Sequence, residues 1–87
     1  MPKSLNKVMI IGNLGQDPEG QYTPSGKLVV KFTVATNESF TNNAGERVDR
    51  TEWHNVEAWG RLAEICQQYL TKGQKVYIEG QIRTDNW

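Results

Sequence analysis

The residues best suited to chemistry in this sequence are aromatic rather than nucleophilic. Segment 51–60, Thr-Glu-Trp-His-Asn-Val-Glu-Ala-Trp-Gly, has the alternation of a β-strand. Side chains alternate between the two faces of a strand, so Trp53, Asn55, Glu57 and Trp59 share one face. Glu52, His54, Val56 and Ala58 share the other, and the small apolar pair Val56 and Ala58 suits a crowded interior. The tryptophans then fall on the polar, water-facing side, where a core strand has no need of its largest rings. Flat rings on an open polar surface can stack on planar groups, and nucleobases are the common planar groups of polymers. The competing reading is burial of both rings against sheet or a second subunit, since aromatics also dominate interfaces. From spacing alone the two readings are about evenly matched, and the accessibility of the rings separates them.

Other chemistry is sparse. No Ser-His-Asp, Cys-His or paired-carboxylate arrangement is evident, and no phosphate-cradling loop of the Gly-x-x-x-x-Gly-Lys type. Neither an enzyme activity nor a cofactor is expected. A single cysteine, Cys66, allows no internal disulfide. With a single histidine as well, a structural zinc site within one chain is excluded. Ten Lys plus Arg balance ten Asp plus Glu, so any attraction for a polyanion must come from the distribution of charge. The cations that could track phosphates are Lys7, Lys31, Arg50, Arg61, Lys72 and Arg83; for each the plain alternative is a solvated surface charge. Glu57, between the two tryptophans, is awkward beside phosphate. No run approaches the ~18 apolar residues of a membrane span, and the first residues lack a signal-peptide core. A cytoplasmic protein with no membrane partner is expected, and 87 residues suffice for one small domain, 1–87.

The elements that must position these groups follow from periodicity. Residues 5–14 read as a strand in which Val8, Met9, Ile10 and Ile11 give both faces apolar surroundings, one in the core and one against a second subunit or layer. Gly12 suggests a bend or bulge. Residues 15–26 are rich in turns, with a short extended piece around 21–23. In 27–36, Leu28, Val30, Phe32 and Val34 form a core face, opposite Lys27, Val29, Lys31 and Thr33. Residues 37–50 have a hairpin tip at Asn42, Asn43 and Gly45, and Phe40 is expected in a mobile loop. Residues 61–72 form the helix, with an apolar stripe of Leu62, Ile65, Cys66, Tyr69 and Leu70, stopped at Gly73. Residues 75–84 form the last strand, with Val76, Ile78, Gly80 and Ile82 on one face.

Three strands, a helix and a strand are the layout of an all-β OB fold, a five-stranded Greek-key barrel with one helix between strands 3 and 4. The last strand of that barrel is missing from this chain. The expectation is a fragment, or a barrel closed by a partner strand.

The sequence also resembles a known family. The quoted motifs are Asn6-Lys7-Val8, the run Gly12-Asn13-Leu14-Gly15-Gln16-Asp17-Pro18-Glu19, Thr51-Glu52-Trp53-His54, Leu62-Ala63-Glu64, Tyr69-Leu70, Lys72-Gly73 and Val76-Tyr77-Ile78-Glu79-Gly80. In this order they are similar to bacterial single-stranded DNA-binding protein over essentially the whole chain. The resemblance implies a homotetramer, or a dimer, that binds single-stranded DNA without sequence preference during replication, repair and recombination. It implies that Trp53, Trp59, Phe40 and Trp87 are the stacking aromatics and that His54 lies at a subunit contact. The family often has tryptophan at the position of Phe40. It also continues into another strand and a tail whose acidic tip recruits replication and repair proteins.

Overall fold

The computed structural model of the protein describes residues 3–84. The first strand, β1 (Val8–Leu14), alternates as its sequence dictates: Ile10, Gly12 and Leu14 turn inward while Met9 and Ile11 are exposed. Gly12 is where β1 crosses close over the next long strand. A Cβ there would collide with the Ala35 carbonyl and with Val34. The chain bends at residues 15–18 and resumes as β2 (Glu19–Tyr22), the short extended piece expected slightly later in the sequence. β1 and β2 run one after the other along the same edge of β3 (Leu28–Thr41).

β3 and β4 (Arg47–Trp59) form an antiparallel ribbon of thirteen paired positions, from Val29↔Trp59 to Thr41↔Arg47. Both strands are longer than hydrophobic alternation alone predicts. Polar pairs extend them: Thr51 donates to Asn37, Ser39 to Asp49, and Arg47 to Ser39. Asn42 closes the tip, its Oδ1 accepting from the backbone N–H groups of Ala44 and Glu46, with Gly45 at φ 81°. Phe40 therefore lies in a strand, opposite Val48, and not in a mobile loop.

The helix α1 (Arg61–Tyr69) ends before Lys72. Leu70 is already extended, and the following turn is captured elsewhere. The Lys72 N–H donates to Asp17 Oδ1 (2.7 Å) and the Gly73 N–H to the Leu14 carbonyl (2.8 Å). The last strand, β5 (Lys75–Gly80), pairs with β1 and stops where β1 begins, Gly80 facing Val8. Beyond it, Asn6 grips the backbone of Ile82 with both ends of its amide, at 2.8 and 3.0 Å, in place of a ladder.

The strand order across the sheet is β4–β3–β1–β5, with β2 beside β3. This is the OB layout, the helix falling between the third and fourth long strands. Among the described residues the outer edges of β4 and β5 have no strand partner, so the sheet is not closed. Leu14, Leu28, Val30, Phe32, Val34 and Ala58 meet Ala63 and Cys66 of α1 in one core. Burial pushes the Cys66 thiol pKa up. Only part of the expected helical stripe is covered: Leu62, Ile65 and Tyr69 are exposed, because the short helix touches the open sheet along a narrow strip. Ile82, beyond the end of β5, is exposed as well. No helix among the described residues is long and apolar enough to cross a membrane.

Candidate nucleic-acid interface

The outward face of the sheet carries the two tryptophans because β3 and β4 bury the even-numbered residues. Val30↔Ala58, Phe32↔Val56 and Val34↔His54 face the core, so Val29↔Trp59, Lys31↔Glu57, Thr33↔Asn55 and Ala35↔Trp53 face out. Trp53 is 60% exposed and Trp59 44%. Six strand positions separate them, about 20 Å at the usual rise per residue. Neither ring is sealed against protein within the chain.

Each ring has a seat. The six-membered ring of Trp53 lies against Gly15, in the bend between β1 and β2. A Cβ at Gly15 would come within 2.5 Å of both the ring and Thr33 Oγ1. The bend is pinned there, since the Gly15 N–H donates to the Thr33 carbonyl (2.8 Å). Trp59 stands opposite Val29, which is only 6% exposed although it points outward.

The candidate cations divide into groups. Lys31 shares the face with both rings, in a row with Glu57 on one side and Glu19 on the other. Lys72 is tied through its backbone to Asp17, beside the bend that seats Trp53. Arg61 follows Trp59 by two residues and is paired with Glu64 (3.0 Å), well exposed. Lys7 pairs with Glu79 (3.1 Å) and lies just before β1, six residues from Asn13, which shares a row with Trp53; Arg83 lies beyond the end of β5. Both are remote from the rings. Arg50 pairs loosely with Glu38 (3.9 Å) on the even-numbered face of the ribbon, the face that also carries Phe40, 45% exposed. The structure therefore puts Lys31 on the face of Trp53 and Trp59, with Lys72 in the turn bonded to Asp17 and Arg61 two residues past Trp59, and sets Phe40 with Arg50 on the reverse side. Trp87 lies outside the described residues.

Lys75 was not a candidate from the sequence. Pairing places it in one row with Asn13, Ala35 and Trp53 across four strands, with neutral Asn13 opposite it. No sequence signal marks it, because the row depends on register between strands far apart in the chain. His54 is half-buried on the inner face, and its Nε2 is 2.9 Å from Thr36 Oγ1. Among the described residues no group of His, Cys, Asp and Glu could hold a metal. A polar face with open rings and scattered cations can stack bases and hold phosphates.

Comparison with known proteins places the family. The profile of the single-strand binding protein family matches residues 5–87. The chain is 56% identical over 87 residues to single-stranded DNA-binding protein 1 of Chlorobaculum tepidum, covering all of this chain and 54% of that protein. It thus spans about half the length of this curated relative. The solved Plasmodium falciparum SSB in complex with single-stranded DNA superposes with a TM-score of 0.91 at 35% identity, over 100% of this chain and 78% of that one. A deletion mutant of the Thermus aquaticus single-stranded DNA-binding protein gives 0.86 at 34% identity, over 95% and 40%. The fold and these matches make the chain a member of the single-strand binding protein family.

Proposed function

We propose that residues 1–87 form one OB-fold domain that binds single-stranded DNA without sequence preference and has no enzymatic activity. The observation that carries this reading is the exposure of Trp53 and Trp59 on one polar face. Base stacking on such rings contributes ~1–3 kcal/mol per base and tolerates any sequence, because every base has a π-face. Lys72, Arg61 and Lys75 hold the phosphates near the rings, and Lys7 and Arg83 extend the track. Phe40 and Arg50 contact DNA that wraps around the ribbon to its other side, and Trp87 adds a further ring. A family relative solved with single-stranded DNA supports the same use of this fold.

Self-association fits the surface. Met9, Ile11 and Tyr77 form an exposed apolar patch on the outward face of β1 and β5, suited to a second copy of the chain in a homotetramer or dimer. His54 serves that assembly from the inner face of β4. The cellular role is protection of single strands in replication, repair and recombination, in the cytoplasm at the nucleoid. Replication and repair proteins join through an acidic tail in a longer form.

Titration with oligo-dT, read by tryptophan emission, tests the reading. Strong quenching at low salt is expected, and Trp53→Ala or Trp59→Ala weakens binding by ~1–3 kcal/mol each. Unchanged emission at low salt sinks it.

A further inference from the structure

Glu19, Lys31 and Glu57 stand side by side across β2, β3 and β4, all exposed, in the strip between Trp53 and Trp59. Directly opposed residues of an antiparallel pair have Cβ atoms ~4.5–5.5 Å apart. Lys31 therefore has a carboxylate on each side, and the row carries one positive and two negative charges. None of the three belongs to any of the ion pairs among the described residues. The flank is different. Lys75 faces neutral Asn13, and Lys72 projects from the turn docked on residues 14–17.

A phosphodiester entering the strip would meet two carboxylates and could offer neither a hydrogen. A base edge can, since each base has at least one N–H donor. We infer that the Glu19–Lys31–Glu57 row is a positioning device that keeps phosphate out of the space between the rings. It turns the bases inward onto the indoles and sends the backbone along the Lys72–Lys75 flank. Lys31, despite its place between the tryptophans, then has its charge offset by the carboxylate on each side and contacts no phosphate. This deepens the single-strand binding reading and rests on it.

The salt dependence of oligo-dT binding tests the row. For single strands the slope of log K against log salt changes by ~0.7 for each phosphate contact, a ~2.6-fold affinity change for a fourfold change in salt. The 87-residue chain and its variants are compared, with matching far-UV circular dichroism as the check on folding. Lys31→Met should leave the slope unchanged, whereas Lys72→Met and Lys75→Met should each flatten it by ~0.7. The double change Glu19→Gln with Glu57→Gln should free Lys31 and steepen the slope by ~0.7. Adding Lys31→Met to that double variant should take the gain away. A Lys31→Met slope flattened by ~0.7 in the otherwise unaltered chain would overturn the inference, as would an unchanged slope in the double glutamine variant. No binding at all by the unaltered chain is a separate result and overturns the single-strand reading beneath it.

Discussion

A single methyl group at Gly15 should act on DNA binding through Trp53 alone. Gly15 is not among the glycines with positive φ, so alanine adds no backbone strain there. Its Cβ would arrive 2.5 Å from the Trp53 ring and 2.5 Å from Thr33 Oγ1. Cβ atoms do not tolerate that distance, so something must shift by about an ångström. The Gly15 backbone is pinned to the Thr33 carbonyl and the turn at Gly73 is pinned to Leu14, so the backbone resists. The Thr33 hydroxyl can rotate away, but the indole can only swing off its seat. A displaced ring loses part or all of one stacking contact, ~1–3 kcal/mol, or a ~5- to 150-fold weaker Kd. The assay is a double-mutant cycle of Gly15→Ala and Trp53→Ala, read by fluorescence anisotropy of labelled oligo-dT. If the methyl acts through the ring, Gly15→Ala costs nothing further once Trp53 is alanine. Equal losses from Gly15→Ala with and without Trp53 would refute the reasoning and assign Gly15 a direct role.

Two further outcomes concern the scaffold. Asn42→Ala removes both side-chain bonds that close the β3–β4 tip and should cost about 1 kcal/mol in thermal or urea unfolding, an exposed turn giving the low end for two bonds; an unchanged midpoint would show that Gly45 and the polar ladder set the turn by themselves. The buried Cys66 thiol has its pKa raised, so its protonated form is favoured in the folded chain. Its contribution is complete below the ordinary thiol pKa of ~8.5 and is lost as pH rises above it. Stability should therefore decline through that range in the native chain and less in Cys66→Ala, and an Ellman reagent should label the folded protein far more slowly than the unfolded one. Rapid labelling of folded protein would place the thiol at the surface.

Which faces of β3 and β4 are buried is written in the local residue pattern. Period-two alternation of Leu28, Val30, Phe32 and Val34 against Lys31 and Thr33 is a local property, and burial of one face compels the other outward. That logic already put Trp53 and Trp59 on one face, and the linear order of elements already carried the OB layout. Whatever depends on pairing between distant segments emerges only in the folded chain. Tertiary structure ended α1 at Tyr69, because Asp17 and Leu14 capture the turn that periodicity alone would leave helical. It lengthened the ribbon through polar pairs that hydrophobic patterning cannot register, and so moved Phe40 from a loop to the reverse face. It seated Trp53 on Gly15, thirty-eight positions earlier in the chain, set Lys31 between Glu19 and Glu57, and put Lys75 in the row of Trp53. Faces follow from neighbours along the chain; rows follow from strand register, which is fixed only when the strands meet.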